Sequence, residues 1–279
     1  VTKATAVAVR GDGRQVASAS DDGSVRVWDL NATDDHRAMA DAKESLWAVA
    51  LSPNGKRLAA AGADKKVRVY DPDTGALETT LDAGAAMTAL AFLPDNNRLV
   101  AAGGDKVIKV WDVADKKVVQ ELPGHALAVL ALAVGGDGKL VASGSADATV
   151  RGFDPDGGKE LWKWATRKAV CAVAIRKGNK HLAAGLADGT LAVVDIGGGT
   201  PKELSTQAAH TAGVACVAFS PDGGRLATVG GDGAVRIWTV ADAGGLTQLV
   251  KFDGQPATGG TGFSPLSTVA FSPDGRFVA

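Results

Sequence analysis

The chain of 279 residues is 46% hydrophobic and 22% charged, with 30 basic residues set against 31 acidic ones. This composition describes a folded globular protein and excludes disordered, collagen-like and strongly basic nucleic-acid-binding classes. A formal charge of -1 creates no field that would gather phosphate or anionic lipid around the whole molecule, and no local basic patch is found.

From Thr5 the sequence reads TAVAVRGDGRQVASASDDGSVRVWD. A run of small and β-branched residues closes on a Gly/Asp cluster, a second closes near an aspartate, and a third ends in an aromatic residue followed by Asp. Three strands with tight turns follow from that punctuation. The same frame returns from Trp47 as WAVALSPNGKRLAAAGADKKVRVYD and from Thr88 as TALAFLPDNNRLVAAGGDKVIKVWD. It recurs from Leu130, Cys171 and Ala215, and a seventh copy begins from Ser267 as STVAFSPDGRFVA. The aspartates ahead of the third run, Asp22, Asp64, Asp105, Asp147, Asp188 and Asp232, recur every 41 to 44 residues, or about one supersecondary unit. More polar runs at 76–81, 118–122 and 160–165 supply a fourth strand, so each unit is a four-stranded antiparallel sheet. Alternating small and bulky residues, as at Val217, Ala218 and Phe219, suit sheets packed on both faces.

With Trp28-Asp29, Tyr70-Asp71, Trp111-Asp112, the FSPDG turns and Gly124-His125, the chain resembles the WD-repeat (WD40) β-propeller family over nearly its whole length. The resemblance implies an all-β, seven-bladed propeller in one domain, with the seventh blade incomplete. The expected blades are 1–43, 44–83, 84–124, 125–166, 167–209 and 210–262, with a partial blade at 263–279. Residues beyond the termini of a parent polypeptide, or a strand from a partner chain, are expected to complete blade seven, since an open sheet edge is an aggregation hazard.

Four residues stand where this family places a hydrogen-bonded tetrad: His210, Thr228, Asp232 and Trp238. The same residue types make nucleophilic triads, but their recurrence from blade to blade favours a structural role. His125, Ser143 and Asp147 repeat the pattern with Phe153 at the aromatic position, while Ser18, Asp22 and Trp28 have no histidine within the chain. Blades two, three and five place Ala42, Ala83 and Thr166 at the histidine position and should rely more on packing.

Nothing else in the sequence promises chemistry. The four histidines and two cysteines lie scattered without metal-ligand spacing, so neither a metal nor a cofactor is expected. Cys171 and Cys216 read as buried free thiols. Asp71-Pro72-Asp73-Thr74-Gly75 lacks the closing glutamate of a calcium loop and reads as a turn. Asn31-Ala32-Thr33 reads as an exposed loop, and 253–262 as a solvated connection. Trp162 and Trp164 should share one face of their strand and pack on blade five.

The resemblance further implies a non-enzymatic scaffold whose partners, proteins or peptides rather than nucleic acid or membrane, use the loops that enter the innermost strands. Carried over by position, those residues are Lys3, Glu44, Ser45, Trp47, Met87, Leu127, Arg167, Lys168, Gly213 and Pro265. Trp47 is the best anchor among them, although Trp47, Met87 and Leu127 could equally pack between blades. The other implied reading is a regulatory or sensory propeller within a larger bacterial protein, fused to a kinase, ATPase or cytochrome.

Overall fold

A computed structural model describes residues 3–31, 36–253 and 268–279. Every regular element among them is a strand, and the strands form six four-stranded antiparallel sheets in strict chain order. Blade one comprises β1 (Ala4–Val9), β2 (Gln15–Ser20), β3 (Val25–Asp29) and β4 (His36–Met39). Blade two comprises β5 (Leu46–Leu51), β6 (Leu58–Gly62), β7 (Lys66–Tyr70) and β8 (Leu77–Asp82). Blade three has β9 (Met87–Phe92), β10 (Arg98–Gly103), β11 (Ile108–Asp112) and β12 (Lys117–Leu122). Blade four has β13 (Val129–Val134), β14 (Val141–Ser145), β15 (Thr149–Phe153) and β16 (Glu160–Ala165). Blade five is built from β17 (Val170–Ile175), β18 (His181–Leu186), β19 (Thr190–Asp195) and β20 (Lys202–Ala208). Blade six is built from β21 (Val214–Phe219), β22 (Arg225–Gly230), β23 (Ala234–Val240) and β24 (Leu246–Asp253).

Local chemistry sets the turns. In the SPDG turn of blade six the Ser220 hydroxyl donates to Asp222 Oδ1, and the Arg225 and Gly224 N–H groups donate back to Ser220 Oγ and Asp222 Oδ1, each at 2.9 Å. Ser52 with Asn54 and Ser272 with Asp274 repeat the device. Side-chain oxygens thereby satisfy backbone donors that the bend removes from the ladder.

The cores lie between consecutive sheets. One cluster joins Ala59, Ala61, Val67 and Leu81 of blade two to Met87, Leu99 and Trp111 of blade three, and equivalent clusters join blades one to two, three to four, four to five and five to six. Second-strand alanines such as Ala59, Ala60 and Ala101 are fully buried, which lets neighbouring sheets approach closely. The innermost strands β1, β5, β9, β13, β17 and β21 follow one another side by side and line a central channel of about 270 Å³.

The blade count differs from the sequence expectation: there are six blades, not seven. Thr268–Ala279 folds back on itself through a single bridge, Phe271 to Val278, and forms no sheet of its own. Val269 and Phe271 pack on Val229 and Ile237 of blade six, while Pro273 lies against Gly13 of blade one. The seventh copy is thus a wedge between blades six and one. A repeat count registers where units start, whereas a blade requires four paired strands. The expected completion of a seventh blade by flanking sequence or a partner strand falls with that count.

Candidate interaction face

On the face where chains enter the inner strands, each blade presents the turn between its second and third strands. In blade six the turn aspartate anchors a network. His210 Nδ1 lies 2.8 Å from Asp232 Oδ1, His210 Nε2 lies 2.9 Å from Thr228 Oγ1, and Trp238 Nε1 donates to Thr228 Oγ1 at 3.1 Å. The indole can only donate, so the threonine oxygen accepts from it. Arg236 Nη1 also reaches His210 Nδ1, so a guanidinium donor and the Asp232 carboxylate share that side of the ring. Burial pushes the His210 pKa down against the upward pull of Asp232. Burial works to raise Asp232, but hydrogen bonds from His210 and two backbone N–H groups hold it well below the usual carboxylate range.

Blade four has the same geometry, with His125 3.0 Å from Asp147 and 2.7 Å from Ser143. Phe153 offers only a ring edge to the imidazole. In blade one Trp28 Nε1 reaches Ser18 Oγ at 3.4 Å, and the indole stacks on His36. Asp22 there accepts from Ser24 and pairs with Arg26. Thr228 and Ser143 are fully buried, so neither hydroxyl is open to a substrate from solution.

A fifth participant escaped the sequence reading, namely a basic residue four positions after the turn aspartate. Asp22–Arg26, Asp64–Arg68, Asp105–Lys109 and Asp232–Arg236 are ion pairs at 2.9, 2.6, 2.7 and 3.0 Å. In blade four the corresponding Arg151 turns to Glu160 instead. Blade five has Ala192 at this position. The recurrent D-x-x-x-R/K spacing was visible in the sequence and was the signal to follow.

Blades two and three do not rest on packing alone. The Tyr70 hydroxyl, longer in reach than an indole N–H, hydrogen-bonds to Asp41, and burial together with that carboxylate raises the phenol pKa. Lys109 Nζ donates to Ala83 O at 2.7 Å as well as pairing with Asp105. With Ala101 where blades one, four and six carry a hydroxyl, Trp111 Nε1 is left buried without a partner among the described residues, as is Asp105 Oδ1.

Each innermost strand has a β-bulge at the same register, at Thr5, Trp47, Thr88, Leu130, Cys171 and Ala215. The extra residue leaves the ladder and is re-aimed, and all of these except Thr5 line the channel. Thr5 Oγ1 donates to Leu46 O at 2.6 Å and Thr88 Oγ1 to Val129 O at 2.5 Å, each bond tying one blade to the next. Trp47 is 39% exposed and Leu127 49%. Lys3, Glu44, Arg167 and Lys168 are exposed, and Ser45 and Gly213 are half-buried. Met87 is not part of this surface: it is fully buried in the core between blades two and three, because it precedes the bulge and keeps its place in the ladder. Pro265, the connection at 254–262 and Ala32-Thr33 lie outside the described residues.

The remaining features are structural. Cys171 and Cys216 are half-buried at the channel wall, and burial pushes both thiols up. Asp71 Oδ1 accepts from the Asp73 and Thr74 N–H groups, forming a turn closed by Gly75 at φ 76°. Trp162 packs over Gly152 and, with Trp164, into the cluster shared with blade five.

Six four-stranded sheets around a channel, with aspartate-anchored networks at their turns, define a β-propeller. The WD domain, G-beta repeat (WD40) model matches residues 2–29, 36–71, 75–112, 116–154 and 201–239, more than half of the chain. The chain therefore belongs to the WD40 family, whose members typically act as protein-interaction scaffolds. The stretch left unmatched at 155–200 covers most of blade five, where the histidine, hydroxyl, basic and aromatic positions are Thr166, Ala184, Ala192 and Val194. No curated protein matches the chain.

Proposed function

We propose that this propeller is a non-enzymatic interaction platform whose protein or peptide partner docks over the channel mouth. The carrying observation is Trp47, a large aromatic residue held 39% exposed on a bulge at the channel wall. Exposed aromatic surface is costly in water, and buried Trp residues supply much of the affinity at interfaces. Leu127, also exposed, extends the apolar ground at the entry to blade four. The sealed hydroxyls of Thr228 and Ser143 support the same reading.

The test is affinity capture with the native chain, Trp47→Ala and Leu77→Ala in parallel, Leu77 being exposed on an outermost strand. A partner bound at the mouth should be weakened about tenfold or more by Trp47→Ala and left unaffected by Leu77→Ala. Equal retention by both variants would overturn this reading.

A further inference from the structure

Blade five leaves open a space that the other networks fill. In blade six the His210 ring and the Arg236 guanidinium occupy the ground behind the turn aspartate. Their counterparts in blade five are Thr166 and Ala192. Register confirms the equivalence, since Ala192 pairs with Ala184 as Arg236 pairs with Thr228. At that place lies a cavity of about 170 Å³, several times the roughly 30 Å³ that a liquid water occupies.

Its walls are selective. Asp188 and Glu203 bring two carboxylates, Thr190 and Thr206 bring hydroxyls, and Trp164 brings an indole. Asp188 Oδ1 accepts from the Thr190 N–H at 3.0 Å, and Glu203 Oε1 accepts from Thr206 Oγ1 at 2.6 Å, so both carboxylates are oriented. Every other turn aspartate has a basic residue four positions on, and in four blades the two form an ion pair. Asp188 has no such residue, and the ion pairs among the described residues include neither it nor Glu203. Arg167 stands at the rim and the charge of Lys168 acts on Asp188, which tempers the negative field without filling the space.

We infer that this cavity is a receptor for a guanidinium group, the side chain of an arginine in a partner polypeptide, taking the place that Arg236 occupies in blade six. A planar fork of N–H donors suits paired carboxylates, and an indole attracts the cation. The site lies between blades four and five, on elements other than the strand that carries Trp47. Its ligand carries no apolar anchor, so either proposal can fail while the other stands.

The probe is Nα-acetyl-arginine N-methylamide, followed by NMR at the Trp164 indole N–H assigned with Trp164→Phe. Its neutral isostere, the citrulline analogue, serves as the parallel arm. The blocked arginine should shift the Trp164 resonance saturably, and the citrulline analogue should not. Ala192→Arg, which fills the space from within, should reduce affinity about tenfold or more. Asp188→Asn and Glu203→Gln alter only exposed groups and should weaken binding similarly if the larger substitution disturbs the fold. An equal response to the citrulline analogue, unchanged binding in the carboxamide variants or no response at Trp164 would each overturn the assignment.

Discussion

The neutral, buried imidazoles of His125 and His210 make stability depend on acidity in a direction that can be worked out. Burial depresses both pKa values below the ordinary 6.5 despite the adjacent carboxylates. As the pH falls below about 6.5 the unfolded chain takes up protons that the folded chain refuses, so stability is full above that value and declines toward acid. Asp147 and Asp232, held below the usual 3.8, act in the same sense, and their contribution is lost at still lower pH. Urea unfolding should therefore give a higher midpoint at pH 7 than at pH 5. A His125→Gln, His210→Gln variant should be less stable by about 1–3 kcal/mol per site at pH 7, with a flatter slope between those two pH values.

At the level of the strand and its turn, the left-handed residue of each network turn is Gly23, Gly189 or Gly233 in three blades, but Lys65, Lys106 and Ala148 in the others. A Cβ at Gly189 would fall 2.0 Å from His210 O, so glycine is required there. Ala148, at φ 59°, carries a strain that its methyl group does nothing to offset. Ala148→Gly should raise unfolding free energy by up to about 1 kcal/mol, the relief of strain being partly offset by a freer unfolded chain. Ala101→Ser, which offers Trp111 Nε1 an acceptor, should add on the order of 1 kcal/mol in the same assay. The aspartates, aromatics and fourth strands that define these elements were legible because they recur with the period. The Tyr70–Asp41 bond was not, since Asp41 stands one residue away from the expected histidine position and only the longer phenol reaches it. The bulges were hidden for a related reason: strict alternation predicts which face a side chain takes only while the ladder keeps step.

Over the whole molecule, the networks are unevenly distributed. Blade six holds the complete set, blade four lacks the indole and the pairing of its turn aspartate with an arginine, and blade five retains just Asp188. Amide hydrogen exchange under native conditions should accordingly be faster in β18 and β19 than in β22 and β23, by an amount that tracks local opening rather than global unfolding. Equal protection in the two pairs would show that inter-blade packing alone sets local stability. The six-blade count was illegible for a different reason, because whether a repeat start becomes a sheet depends on pairing partners distant along the chain. The inner-strand bulges carry one more consequence. Because the residue at each bulge lies outside the hydrogen-bond register, the side chains of Trp47, Leu130, Cys171 and Ala215, which line the channel and make no inter-blade hydroxyl bond like those of Thr5 and Thr88, can be exchanged without disturbing sheet pairing. A combinatorial library confined to those four positions would vary recognition while leaving the scaffold constant, making the channel wall a natural palette for new binding specificities.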